Sequence, residues 1–182
     1  MVRQDKEFVK AHHRLVALEN TVNAKQNYQQ KLDGIESRKG KGTNRDKAKA
    51  LTDEGRAHLD ATQFDKALVC FTTALALDPA PYTYRLRAQI YEQRGRIAEA
   101  LVDYERALRG NPTNPQSHLD YAQALLLVNR QQDAIPAFEE ARRLSELPQP
   151  PEFAARAADR VVEINRILAQ LTDQRSALQL GH

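Results

Sequence analysis

The chain has 182 residues, 41% of them hydrophobic and 28% charged, with a net charge of +3 from 27 Lys and Arg against 24 Asp and Glu. That length allows one core of moderate size with helical extensions, and the absence of Trp suits helices packed in layers. Interleaved charges argue against a nucleic-acid stripe, the single cysteine, Cys70, excludes an internal disulfide, and no apolar run reaches the length of a membrane span, so direct membrane insertion is not expected.

Residues 1–36 form the first segment, which the pattern predicts to be an amphipathic helix from Gln4 to about Glu36. Phe8, Leu15 and Val22 fall in one heptad column and Ala11, Leu18 and Leu32 in the other, while Lys25 and Gln29 interrupt the stripe. This helix either packs on the rest of the chain or docks against a partner or a second copy. A homodimer through Phe8, Leu15, Leu18 and Val22 is therefore one open arrangement. His12 and His13 are adjacent, about 100° apart on a helix, and make a poor metal pair. Met1 to Arg14 contains no signal-peptide core. If Met1 is the native start the expected compartment is the cytoplasm; if a signal has been removed, the periplasm stays open.

Residues 37–46 read as a basic, Gly-containing linker, beginning Ser37-Arg38-Lys39-Gly40-Lys41-Gly42. It is not a phosphate-binding loop, because no glycine lies five residues before Gly40 and no strand precedes it. It also lacks the aromatic platforms that a single-stranded nucleic acid would use. A solvated hinge is the expectation.

Residues 47–146 are dominated by an internal period. Phe64, Ala67, Leu68, Phe71, Ala74 and Leu75 make the stripe of an amphipathic helix. The stripe returns after 33 residues as Ile97, Ala100, Leu101, Tyr104, Ala107 and Leu108, and after 34 more as Gln131, Ala134, Ile135, Phe138 and Ala141. Asp78-Pro79 and Asn111-Pro112 stop the first two stripes. Upstream of each lies another predicted helix, over 48–60, 82–94 and 115–128, so three helix pairs result.

Residues 147–182 open with Leu147-Pro148-Gln149-Pro150-Pro151, a turn-rich break. Phe153, Ala157, Val161, Ile164, Leu168, Leu171 and Leu178 then lie along one face of a predicted capping helix. Its outer half, with Leu171 and Leu178, keeps a seven-residue rhythm and is a second candidate helix–helix interface.

Each pair also has a small residue midway along its first helix, Gly55, Ala88 or Ala122. Opposite it stands a small residue early in the second, Ala67, Ala100 or Ala134, with Phe71, Tyr104 or Phe138 following. Such residues let two helix axes approach closely while the aromatic fills the remaining space. The pattern resembles the tetratricopeptide repeat (TPR) family over about residues 48–146. His58 stands where that family usually has Tyr, and Pro136 is expected in the first turn of its helix, where a missing N–H matters little.

The resemblance implies an all-α fold: a right-handed TPR superhelix of three helix-turn-helix repeats, with an N-terminal amphipathic helix and a C-terminal capping helix. It also implies a concave groove lined by the first helix of each repeat. By register that groove contains Lys49, Thr52, Arg56, Leu59, Tyr82, Arg85, Leu86, Gln89, Gln116, Leu119, Gln123 and Leu126. Leu86, Leu119, Leu126 and Tyr82 would anchor apolar side chains of a protein or peptide partner, unless Leu119 and Leu126 instead complete the core beneath the C-terminal helix, and Arg56, Arg85, Gln89 and Gln123 would donate hydrogen bonds.

The family branch that grips chaperone C-termini uses Lys, Asn, Asn, Lys and Arg at places held here by Thr52, Arg56, Leu86, Gln116 and Asp120. None matches, and Asp120 is expected to repel a carboxylate. No G-x-S-x-G, H-E-x-x-H or C-x-x-C pattern occurs. Cys70 reads as an inert buried thiol, His58 and His118 as packing or surface residues, and no metal, cofactor or catalytic residue is assigned. The expected function is a non-enzymatic scaffold, adaptor or assembly factor, of secretion-chaperone type among other forms. The alternative is a structural subunit that associates through its terminal helices.

Overall fold

The computed structural model describes residues 42–148 and 150–180, with side chains as far as Asp173, together with the helical residues Gln26 and Gln30. Phe8, Leu15, Leu18, Val22 and the side chain of Leu178 lie outside the described residues, as do His12, His13 and the linker as far as Lys41. All regular structure among the described residues is helical. Contacts divide the chain into two units, one ending at Asp78 and the other beginning at Pro79.

The first unit contains α1 (Asn44–Asp60) and α2 (Phe64–Leu77). Helix α1 begins inside the stretch read as linker, because Thr43 builds a capping box with Asp46. The Thr43 backbone N–H donates to Asp46 Oδ2 at 2.8 Å, and the Asp46 N–H donates to Thr43 Oγ1 at 3.3 Å. Two helix-end donors are thereby satisfied, which fixes the start of the helix. The two helices cross closely at Gly55, where an added Cβ would sit 2.6 Å from Phe71 Cε1 and 3.1 Å from Cys70 Cβ.

The second unit contains α3 (Pro81–Gln93), α4 (Ile97–Gly110), α5 (Pro115–Leu127), α6 (Gln131–Glu146) and α7 (Pro151–Leu180). Prolines open α3, α5 and α7, where a missing N–H breaks no helical bond. Ala88, Ala100 and Ala124 pack with the fully buried Tyr104. Burial pushes the Tyr104 phenol far above its ordinary range, helped by Glu92, whose Oε2 accepts its hydroxyl at 2.9 Å. Arg87 clamps the buried Asp103 with two bonds, at 2.7 and 2.9 Å, tying α3 to α4.

Each helix pair turns through one residue with positive φ: Thr62 at 58°, Gly95 at 72° and Asn129 at 58°. One backbone bond recurs beside it: Gln63 N–H to His58 O at 2.8 Å, Arg96 to Tyr91 at 2.8 Å and Arg130 to Leu125 at 2.9 Å. This left-handed helix ending satisfies carbonyls that the helix leaves open.

Helix α7 packs on α6, with Ala157, Ile164 and Leu171 buried at seven-residue intervals. Phe153 is half exposed, so the packed face begins one turn later than the sequence pattern suggests. Pro136 is the sixth residue of α6, not part of its first turn. Its missing N–H deprives the Gln132 carbonyl of its helical donor, at an exposed position open to water.

Candidate functional site

A buried carboxylate organises the second unit. Asp120, on α5, is 6% exposed and accepts from Gln116 Nε2 at 2.7 Å, Arg85 Nη1 at 3.0 Å and Gln89 Nε2 at 3.4 Å. Arg85 and Gln89 come from α3 and Gln116 from α5, each reaching inward along the first helix of its pair. Helix α7 contributes Arg160, which donates from Nε to Gln116 Oε1 at 3.4 Å and from Nη1 to Ser145 Oγ at 3.2 Å. Burial lowers the affinity of Arg160 for its proton, and the charge of Asp120 opposes that effect.

Arg85 thus bonds the carboxylate directly, while Arg160 lies within its field and is tied to it only through Gln116. Arg85 Nε is buried and has no acceptor among the described residues. The cluster has an unmatched positive charge and an unused donor, the complement of a carboxylate or a peptide carbonyl. Asp120 is neutralised by Arg85 and does not repel an incoming carboxylate as the sequence suggests, because the two are in contact at 3.0 Å.

Of the residues assigned to the groove by register, Lys49, Arg56 and Leu59 are accessible in the first unit, Leu59 only partly. Thr52 is not: it is buried, and its hydroxyl donates to the Ala48 carbonyl at 2.9 Å. In the second unit Tyr82 is exposed, with the Arg85 guanidinium 5.4 Å from its ring centre, and Gln123 is also exposed. Leu86 and Leu119 are buried at 5% and 7% exposure, and Leu119 belongs to the core with Leu125, Phe138 and Ile164. Leu126 packs against that core, leaving part of itself accessible.

The leucine anchors expected from the sequence are therefore corrected, Leu86 and Leu119 to core and Leu126 to core edge. Leu171 is corrected likewise: it is buried in this chain's own core and not offered to a second helix. Arg160 was missed because α7 lies outside the period that defines the groove.

A second cluster lies in the first unit. Glu54, His58 and Cys70 each place one potential metal-binding atom within 4.8 Å of the others. Spacing alone assigns His58 and Cys70 separately, since they stand on different helices. The i,i+4 pair of Glu54 and His58 was the available signal.

The sequence matches a family model described as Tetratricopeptide repeat over residues 52–115 and again over 86–148, together more than half of the chain. The chain belongs to the tetratricopeptide repeat family. TPR arrays are protein-binding modules, and the all-α fold described above is theirs. A curated relative, the F-box/TPR repeat protein pof3 of Schizosaccharomyces pombe, is 30% identical over 81 residues, covering 43% of this chain and 14% of that protein. The match thus spans about one-seventh of the relative's length.

Among solved TPR structures, PcrH in complex with the chaperone binding region of PopD matches with a TM-score of 0.64 at 19% identity, over 71% of this chain and 94% of that one. The first TPR of Spaghetti (RPAP3) bound to the HSP90 peptide SRMEEVD matches with a TM-score of 0.57 at 23% identity, over 70% and 97%. No helix among the described residues is long and apolar enough to cross a membrane.

Proposed function

We propose that this TPR chain is a non-catalytic adaptor or assembly factor that holds a segment of a partner protein against the Arg85–Asp120–Arg160 cluster, with an acidic group of the segment taking the surplus positive charge. The observation that carries this reading is the buried Arg85 Nε, a donor without an acceptor among the described residues, in a site with two arginines and one carboxylate. An unpaired buried donor destabilises the free protein and rewards a ligand that supplies the acceptor. Tyr82, exposed and with its ring 5.4 Å from the Arg85 guanidinium, gives the segment apolar contact beside the cluster. The likeness to PcrH and Spaghetti supports the scaffold, since each of those folds holds a segment of another protein.

The test is a selection of random peptides against the full chain, followed by measured affinities for wild type, R85Q and R160Q. Selected peptides are expected to carry Asp or Glu, to bind more weakly in salt, and to lose at least about tenfold with either variant. Peptides without acidic residues, or affinities unchanged in both folded variants, overturn the reading.

A further inference from the structure

We propose that Glu54, His58 and Cys70 form a binding site for a zinc-class divalent cation, held between the two helices of the first unit. Glu54 and His58 stand one turn apart on α1 and project from one face. Cys70 comes from α2, drawn alongside them where the glycine at 55 lets the helices approach. A carboxylate oxygen, an imidazole nitrogen and the thiol sulfur all lie within 4.8 Å of one another. Bonds to zinc of about 2.0–2.3 Å place tetrahedral neighbours about 3.3–3.8 Å apart, so side-chain adjustment of about 1 Å closes the set without moving a helix.

The surroundings favour a cation. Gln63 Oε1 lies 3.2 Å from His58 Nδ1, and an amide oxygen only accepts, so the Nδ1 proton can be held there while Nε2 is left to bind an ion. Nε2 in turn faces Glu54 Oε1 at 3.9 Å. With these side chains 8% and 13% exposed, a positive species between imidazole and carboxylate is favoured: a proton on Nε2, or a metal ion that displaces it. A divalent ion does this and also engages the sulfur. Binding releases the Cys70 proton to solvent, and the carboxylate and thiolate then balance the two charges of the ion, leaving the buried site neutral.

Imidazole with thiolate selects a zinc-class ion over magnesium or calcium, which require oxygen donors. Three protein donors leave one tetrahedral position for water. The expected consequence is a clamp on the first helix pair.

Cobalt(II) is the probe. Because Cys70 is the only cysteine, a sulfur-to-cobalt charge-transfer band reports this site and no other. The full chain, stripped with a chelator, is titrated with Co²⁺ and then Zn²⁺. The band is expected to saturate at about one equivalent and to vanish when Zn²⁺ is added. Thermal unfolding should shift upward with Zn²⁺ in wild type only. E54Q and H58Q should weaken Zn²⁺ binding at least about tenfold, and C70A should abolish the band. Absence of the band in the folded wild-type chain overturns the proposal, as does unchanged Zn²⁺ affinity in folded E54Q and H58Q. Should C70A fail to fold, the wild-type band and the E54Q affinity decide.

Discussion

Gly55→Ala sets two effects of opposite sign against each other. Replacing a helix-interior glycine by alanine favours the helix by up to about 1 kcal/mol. Here the new Cβ would lie 2.6 and 2.7 Å from two ring atoms of Phe71, about 1 Å inside normal contact. Phe71 is wholly buried and has nowhere to turn. Either the ring leaves its rotamer or the helices separate, and overpacking of this kind costs about 1–3 kcal/mol. The methyl also meets Cys70 Cβ at 3.1 Å. The net expectation is a loss of about 1–2 kcal/mol, read from urea unfolding by far-UV circular dichroism. A double-mutant cycle with Phe71→Leu isolates the cause, since shortening the ring should remove most of the penalty of G55A. A stabilised G55A chain, or strict additivity with F71L, would refute the close crossing as the reason for glycine.

Three further outcomes follow from features in other places. Asp120→Asn strips the carboxylate that Arg85 bonds and whose charge acts on Arg160, and should lower stability by about 2–4 kcal/mol, measured by the same urea titration; no change would mean the Arg85–Asp120 pair is solvated. Pro136→Ala restores the bond to the Gln132 carbonyl and should stabilise by about 1–3 kcal/mol, seen as a raised unfolding midpoint, whereas a loss would show that the proline ring packs usefully. The Asp46 carboxyl is held below its ordinary range by the Thr43 backbone N–H and then by the Thr43 hydroxyl. A depressed carboxylate contributes stability above its unfolded pKa and loses it as pH falls through the folded value. The advantage of wild type over Asp46→Asn should therefore be constant near neutrality and disappear on acidification below about pH 4, which unfolding midpoints across pH will check.

The helix pairs were legible because burial recurs every three to four residues: Ala67, Phe71 and Ala74 return as Ala100, Tyr104 and Ala107, all of them buried. The proline stops gave the boundaries to within a few residues. Groove and core proved harder to separate. Leu86 and Leu119 occupy first-helix positions that the family register turns outward, yet both are covered in this chain. Periodicity reports which face is apolar and not what lies over it. The Arg85–Asp120 pair spans 35 positions and depends on how one helix pair stacks on the next, which no local pattern encodes. Cys70 meets His58 only because of a crossing distance, and crossing distances are set by packing in three dimensions.

The same left-handed turn is written as Thr62, Gly95 and Asn129. These residues are not equivalent there, since glycine adopts that backbone freely, asparagine tolerates it and a β-branched threonine resists it. Exchange among the repeats is consequently one-way: glycine or asparagine can be moved to position 62 with relief, while threonine at 95 or 129 introduces strain where none exists. A drifting sequence can therefore lose the first turn's present spelling easily and recover it only against a gradient. The periodicity of the chain resides in its backbone hydrogen bonds more durably than in its residues.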